Sequence, residues 1–365
     1  MRLKEYEGKE IFTKYNINIP KGFVISSLNQ LSKTNNLNSE EFTVKAQILI
    51  GKRGKLGGVK FANKINLKKA CSTLLNKEIE GIKVKEVLIE EKLFLEKQIY
   101  LGITISRKED SYILIYSDKG GAEIEEISKS DPSSIYKHPF TKIDLNKLPK
   151  FFRKSKYKNE LAKIVYAMYK ILLDYDAILV EINPLVLSNK KFIAIDSKII
   201  LDDNALYRHP EFIKVKEAQL SKLEKEAFHQ GISFVQLKGT IAVISNGAGL
   251  VMATLDLLDY YGAKPANFLD IGAGAGMKEI FEGLNILLQE NPKGILINIF
   301  AGMTRCDEIA LGIIKFKNKY KTKIPFVVRM IGTNEDEAKS ILKKQNIEML
   351  DSMEQCVRKI VNMVK

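Results

Sequence analysis

Apolar residues fall along the chain in two distinct rhythms. Through the first two hundred or so positions they come as short runs with β-branched and aliphatic content: Thr43–Ile48, Glu86–Ile89, Ser111–Tyr116, Ile178–Ile182 and Phe192–Ile195. Runs of this length and composition predict strands. Between them, Leu161, Ile164, Val165, Met168, Ile171 and Leu172 recur at helical spacing and predict a helix over Asn159–Asp174. Strands and helices mixed in this way predict an α+β domain, or two small subdomains, over residues 1–215. A charged, helix-prone stretch, 216–238, reads as a linker.

From Gly239 the rhythm becomes regular. Strand-like runs at Thr240–Ser245, Asn267–Ile271, Gly294–Ile299 and Phe326–Met330 each lead into a glycine- or asparagine-containing turn and then a helix. A short run near Ile347–Leu350 and a last helix follow. This alternation predicts a parallel sheet covered on both faces, joined by right-handed crossovers. About five such units predict a doubly wound, flavodoxin-like α/β domain over residues 239–365.

Composition narrows the class. The chain has 365 residues, 45% hydrophobic and 28% charged, which suits a globular protein of two or three domains. No apolar run approaches the ~20 residues of a membrane span. The opening Met1-Arg2-Leu3-Lys4-Glu5-Tyr6 has no apolar signal core, so the expected location is the cytoplasm, away from any membrane. Cys71, Cys306 and Cys356 are far apart, which argues against a disulfide framework or a structural zinc site. The net charge of +14 raises nucleic-acid binding. The lysines are scattered and form no basic stripe interleaved with aromatics, so no nucleic-acid partner is expected.

Two regions carry candidate chemistry. Lys45 lies on a predicted strand, ahead of Gly51-Lys52-Arg53-Gly54-Lys55-Leu56-Gly57-Gly58, a flexible basic loop suited to polyphosphate or, equally, a basic hairpin turn. Asn183 and Asp196 end neighbouring predicted strands; an amide oxygen and a carboxylate there match an Mg²⁺ site completed by phosphate, although an Asx turn explains Asn183-Pro184 as well. In the second half, the loops at Asn246–Gly249, Gly272–Gly276 and Phe300–Met303 each open a helix, and helix N-termini favour anions. None of them fits the dinucleotide fingerprint, and no P-loop motif is present.

At these positions the chain resembles the beta subunit of succinyl-CoA synthetase. The motifs run in order: LKEYEGKEIF, VKAQ, RGK-LGGVK, YLGI, GGAEIE, EINPL, Asp196-Ser197-Lys198 and DNAL, then SNGAGL, PANFLDIGAGA, NIFAGMTRCD and VVRMIGTN. The resemblance implies an ATP-grasp fold in the first half and a CoA-ligase domain in the second. It implies an ADP-forming succinate–CoA ligase of the citric acid cycle that needs a separate alpha subunit carrying the CoA site and a phosphorylated histidine. It implies that Lys45, Lys52, Arg53, Gly54, Glu90, Leu93 and Gln98 line ATP, that Asn183 and Asp196 hold Mg²⁺, and that Asn246, Gly302, Met303 and Thr304 bind succinate. Glu181 would stand near the phosphorylated histidine. The chain's own histidines, His138, His209 and His229, lie outside the glycine-rich loops, in keeping with a histidine supplied by another chain. Pro20 resembles the ATP-preferring forms. Lys52, Gln98, Ala273, Ala301 and Ile331 depart from the family pattern, and alanine at a left-handed position would cost about 1 kcal/mol. These departures leave malate open beside succinate as the acid, and leave a catalytically weakened nucleotide-binding subunit as the alternative to an active one. Heterodimer and heterotetramer both remain open.

Overall fold

The computed structural model describes residues 1–51, 53–121, 126, 129–142, 152 and 156–364. Lys52 and most of the GGAEIE motif lie outside the described residues. The chain divides into two compact units, Met1–Val215 and Lys216–Lys365.

Unit 1 holds twelve strands among its described residues: β1 Gly22–Ile25, β2 Glu41–Ala46, β3 Val59–Asn63, β4 Glu78–Ile79, β5 Ile82–Lys83, β6 Val87–Glu91, β7 Lys97–Ser106, β8 Ser111–Ser117, β9 Tyr136–Phe140, β10 Ala177–Ser188, β11 Lys191–Ala194 and β12 Lys198–Leu201. Antiparallel pairing orders one sheet β1-β6-β2-β3 and a second β11-β10-β7-β8-β9, with β12 also on β10; β4 and β5 form a hairpin. Side-chain alternation decides what each face does. On β2, Phe42, Val44 and Ala46 enter a core with Val87 and Ile89 of β6 and with Cys71 and Leu74 of the helix Leu67–Leu74. Lys45 and Glu90, at the intervening positions, therefore share the opposite face. The helix Lys158–Asp174 packs Leu161, Val165, Met168 and Leu172 under β7 and β10. The helix Glu5–Lys14 adds Ile11 and Phe12 to that core.

Unit 2 is the doubly wound sheet that the regular rhythm predicts. Its strands are β13 Ser233–Gln236, β14 Ile241–Ser245, β15 Asn267–Asp270, β16 Gly294–Ala301 and β17 Phe326–Gly332, ordered β13-β15-β14-β16-β17. Only β13 runs antiparallel, against β15. β14 is buried throughout, and its residues split between two cores. Ala242 and Ile244 meet helices Met277–Leu288, Cys306–Tyr320 and Glu335–Lys343; Ile241 and Val243 meet helices Ala248–Tyr260 and Met353–Val364. Burial on both faces is why these strands read as continuous apolar runs.

Two expectations need correction. The stretch 216–238 is more than a connection: it carries the helix Lys222–His229, whose Ala227 enters the core, and the edge strand β13. The run near Ile347–Leu350 makes a single bridge, Val328 with Met349, and not a full strand. Ala273 and Ala301 are absent from the left-handed positions, and Ala301 sits in β16, so neither carries that strain.

Ladder pairing between β14 and β15 is confined to Ser245 with Asp270. Fully buried Asn267 replaces part of the missing ladder with its side chain: Val243 N donates to its Oδ1 at 3.0 Å, and its Nδ2 donates to Val243 O at 2.8 Å. Asn267→Leu would strand both peptide groups and is expected to lower the unfolding free energy by about 2–3 kcal/mol, read from urea titrations. A second expectation concerns Glu290, whose carboxyl burial pushes up to about 7 and whose Oε2 has no hydrogen-bond partner among the described residues. The folded state then keeps a proton that the unfolded state has lost, so stability falls as pH rises from about 4.5 through 7. Glu290→Gln should raise the melting temperature at pH 8 and leave it nearly unchanged at pH 4, in calorimetric scans at both values.

Candidate functional site

In unit 1, a cavity of about 280 Å³ is lined by Arg2, Lys45, Arg53, Gly54, Gly121, Glu181, Asn183, Asp196, Ser197 and Lys198, among others. Strand geometry assembles it. Lys45 points from β2 off the core face, and the loop after β2 brings Arg53 back to the same strand, where its Nη1 donates to Ala46 O at 3.0 Å. β10 supplies Glu181 and Asn183, with a register shift opposite β7 between Ile182 and Leu185 that opens the strand at Asn183. Asp196 follows β11, which pairs with β10 from Leu185 to Ser188. Two consecutive, antiparallel strands thus deliver Asn183 and Asp196 to one cavity.

A buried carboxylate organises the cations. Glu5, on the first helix, is 3% exposed. Its Oε1 accepts from Lys9 Nζ at 2.7 Å and Lys45 Nζ at 2.8 Å, and its Oε2 accepts from Arg53 Nη2 at 2.7 Å. Burial alone would raise the Glu5 pKa, but Lys45, Lys9 and Arg53 hold it well below the usual carboxylate range. Burial likewise opposes the charges on Lys45 and Arg53; the carboxylates of Glu5, Glu90 and Asp196 around Lys45, and of Glu5 and Asp196 around Arg53, raise both above their ordinary values. Glu90 pairs with Lys9 at 2.6 Å and with Lys45 at 2.8 Å. Asp196 Oδ1 accepts from Arg53 Nη2 at 3.0 Å and from the Ser197 amide at 2.8 Å. Its pKa is raised, chiefly by loss of solvent around the carboxyl and then by Glu5, against the pull of Arg53 and Lys45.

Glu181 Oε2 accepts from Tyr100 Oη at 3.3 Å and lies 3.6 Å from Lys198 Nζ. Asn183 Oδ1 accepts from the Gly121 amide at 2.7 Å. Of the positions expected to line a nucleotide, Lys45, Arg53 and Gly54 reach the cavity, and Glu90 stands behind Lys45. Leu93 lies in the connection between β6 and β7, and Gln98 is exposed on β7; neither lines the cavity. A second cavity of unit 1, about 640 Å³, is lined by Lys9, Pro20, Val24, Leu88 and Glu90, among others. Sequence reasoning missed Glu5 and Lys9, although both stand in the quoted LKEYEGKEIF motif; their four-residue spacing on a helix was the available signal.

In unit 2, the turns at the carboxyl ends of the parallel strands are stitched together. Asn246, after β14, donates from Nδ2 to Phe300 O at 2.9 Å and accepts from Phe300 N at 2.9 Å. Thr304, after β16, is buried, and its hydroxyl accepts from Asn246 Nδ2 at 3.3 Å and from the Gly274 amide at 3.1 Å. Asp270 Oδ1 accepts from the amides of Gly247 and Gly272, at 2.6 and 2.8 Å, and both glycines have positive φ. Gly302 and Met303 stay exposed beside this stitched surface. The side chains of Asn246 and Thr304 hold loops, so the arrangement offers an anion backbone groups more than free side chains.

No described histidine lines the unit 1 cavity. His138 lies on β9, His209 Nε2 is 2.8 Å from Asp176, and His229 Nε2 is 3.2 Å from Glu217. All three described cysteines are buried and free. No described helix is long and apolar enough to cross a membrane.

Comparison with known proteins accounts for both units. A family model for an ATP-grasp domain matches residues 2–187, and one for a CoA-ligase matches residues 244–361. Proteins named succinate–CoA ligase [ADP-forming] subunit beta are 39% identical in Desulfurococcus amylolyticus, over 100% of this chain and 99% of that protein, and 41% identical in Methanocaldococcus jannaschii, over 99% of each. The same-named protein of a Wolbachia endosymbiont of Brugia malayi is 40% identical over 100% of both. Among solved structures, ATP citrate lyase from Methanothrix soehngenii, in complex with citrate and coenzyme A, shares the fold with a TM-score of 0.76 at 19% identity, over 99% of each chain.

The loop stitching in unit 2 makes a direct expectation. Thr304→Val keeps the shape but removes the acceptor for Gly274 N and Asn246 Nδ2, and should destabilise the protein by about 1–2 kcal/mol in chemical denaturation.

Proposed function

The chain belongs to the ADP-forming succinate–CoA ligase beta-subunit family, and on that premise we propose that it is the nucleotide-activating half of a two-subunit ligase that joins succinate to CoA at the expense of ATP. The observation that carries this reading is the unit 1 cavity, where Lys45 and Arg53 meet Asn183 and Asp196. Cations beside an amide oxygen and a carboxylate are the donor set a Mg²⁺–polyphosphate requires.

The residues present fit the metal. Asn183 and Asp196 supply two oxygen ligands, no described cluster of three His, Cys, Asp or Glu groups competes for it, and Mg²⁺ commonly binds through one or two protein groups plus phosphates and water. When bound, Mg²⁺ supplies charge neutralisation at the phosphate oxygens. Lys45 and Arg53 do the same from the protein side and fix the phosphate chain for in-line attack. Gly54, in the same loop as Arg53, lines the cavity with them.

The chemistry follows from the acid. A carboxylate is a poor acylating agent, so the terminal phosphoryl of ATP must first be transferred. In this reading a histidine nitrogen of the alpha subunit takes it, with the bond to ADP breaking as the N–P bond forms. Succinate then takes the phosphoryl as an acyl phosphate, and the CoA thiol displaces phosphate. Glu181, oriented by Tyr100 and Lys198, stands at the cavity edge, where it would orient the incoming histidine. The backbone at Gly302 and Met303, set by Asn246 and Thr304, would hold the acid or the phosphohistidine in unit 2. In metabolism this step belongs to the citric acid cycle, and the protein works in the cytoplasm.

The test mixes the chain with its alpha subunit, Mg²⁺ and γ-labelled ATP. Acid-labile label on an alpha histidine, discharged by succinate with CoA, is expected; discharge by malate alone would move the substrate. No labelling, with Mg²⁺-ATP still bound, would leave a nucleotide-binding subunit without turnover. Asp196→Ala should cut labelling by a factor of about 100 or more and abolish Mg²⁺-dependent tightening of ADP binding, measured by calorimetry.

A further inference from the structure

Two ammonium groups in unit 1 address the same three residues, on shared oxygens of Glu5 and Ile195 and on different oxygens of Glu90. Lys9 Nζ donates to Glu5 Oε1 at 2.7 Å, Glu90 Oε1 at 2.6 Å and Ile195 O at 2.9 Å. Lys45 Nζ donates to Glu5 Oε1 at 2.8 Å and to Ile195 O, and forms an ion pair with Glu90 Oε2 at 2.8 Å. Placing two buried lysines on one set of oxygens adds like-charge repulsion to the cost of removing each from water. The third carboxylate of the cluster, Asp196, pairs with Arg53, so the placing of both lysines on Glu5 and Glu90 needs a reason of its own.

The two lysines are not equivalent. The Lys9 side chain is 2% exposed and makes three hydrogen bonds. Lys45 is 11% exposed at its side chain, lines the cavity with Arg53, Asn183 and Asp196, and makes two. Glu90 Oε2, which faces Lys45 at ion-pair distance, has no hydrogen bond among the described residues. Lys9, Lys45 and Arg53 balance Glu5, Glu90 and Asp196, three charges against three.

We infer that Lys9 is a positioning residue for the nucleotide site, the resident counter-ion that keeps Glu5 and Glu90 paired while Lys45 leaves them for a polyphosphate. With Lys45 turned into the cavity, Glu5 still has Lys9 on Oε1 and Arg53 on Oε2, and Glu90 still has Lys9 on Oε1. Without Lys9, the same movement would leave Glu90 as an unpaired buried carboxylate, so Lys45 would stay locked on it. The inference rests on the nucleotide-binding reading above.

The experiment measures Mg²⁺-ADP and adenosine binding to the full chain, in complex with its alpha subunit, by calorimetry. Lys9→Met is expected to weaken Mg²⁺-ADP at least tenfold and to leave adenosine within about twofold of wild type, because only the phosphates call on Lys45. Lys9→Met with Glu90→Gln removes the carboxylate that Lys9 would have left unpaired, restores the charge balance and should recover most of the loss. The inference is overturned by unchanged Mg²⁺-ADP affinity in Lys9→Met, by a parallel loss of both ligands, or by no recovery in the double variant. Failure of the wild-type complex to bind Mg²⁺-ADP would remove the nucleotide reading itself. Should Lys9→Met not fold, ¹⁵N spectra of the lysine ammonium groups in the wild-type protein decide. Mg²⁺-ADP should shift Lys45 and leave Lys9 in place; movement of both, or of neither, refutes the exchange.

Discussion

The carboxylate of Glu5 is the constraint on which unit 1 turns. A buried carboxylate is tolerated only with cations and hydrogen bonds around it. Here those partners come from four places in the chain: Lys9 one turn along the same helix, Lys45 on β2, Arg53 in the loop beyond, and through Arg53 the Asp196 that follows β11. Residues separated by up to nearly two hundred positions are fixed to each other by one charged group. The helix Glu5–Lys14 thereby joins the four-stranded sheet to the segment that ends β11, and the cavity is the space these tied elements enclose. Apolar packing of Ile11 and Phe12 holds the helix, but it does not dictate where Lys45 and Arg53 point. The ion cluster does.

Unit 2 reaches its geometry by the opposite means. Its candidate surface is held by an amide, a hydroxyl and a carboxylate that each bond backbone groups of the turns: Asn246, Thr304 and Asp270. Because these side chains are spent on the loops, the chemistry they leave exposed is main-chain, at Gly302 and Met303. Asn267 extends the same device into the sheet interior, where an amide side chain stands in for a strand. Asn246, Thr304 and Asn267 do this without charge, whereas the unit 1 cluster depends on the ionisation of its members.

This difference explains what was legible in the sequence. Parallel strands buried on both faces announce themselves as apolar runs, so β14 to β17 and their helices could be placed from pattern alone. β13 could not, because Ser233–Gln236 is an edge strand with one buried residue and little apolar signal. In unit 1, β2, β6, β8, β10 and β11 were readable, but the order β1-β6-β2-β3 was not, since it joins segments that no local rhythm connects. Asn183 and Asp196 were legible as a pair because each follows a short apolar run, although Asn183 lies within β10 and not at its end. Glu5 and Lys9 were not: at four-residue spacing on a helix, a glutamate and a lysine read as a solvated surface pair. Leu93 and Gln98, expected to line a nucleotide from the family resemblance alone, are not among the residues around this cavity.

The balance of charge around the cavity also reshapes the meaning of the chain's net +14. Six ionised groups close on one another there, three of each sign, and Arg2, Lys198 and Glu181 beside them leave the described cavity only slightly positive, so most of the excess positive charge resides elsewhere. A site so nearly balanced gives an anion little reason to enter on charge alone. On the proposed nucleotide reading it favours a ligand that arrives with its own divalent cation and so engages Asp196 and the protein's cations together. Selectivity then follows from which ion pairs a ligand can exchange, and not from the field of a basic protein. Scattered surface lysines would draw any polyanion weakly and with strong salt dependence. On that reading the cluster around Glu5 admits only a partner that can replace, contact for contact, what Lys45 gives up.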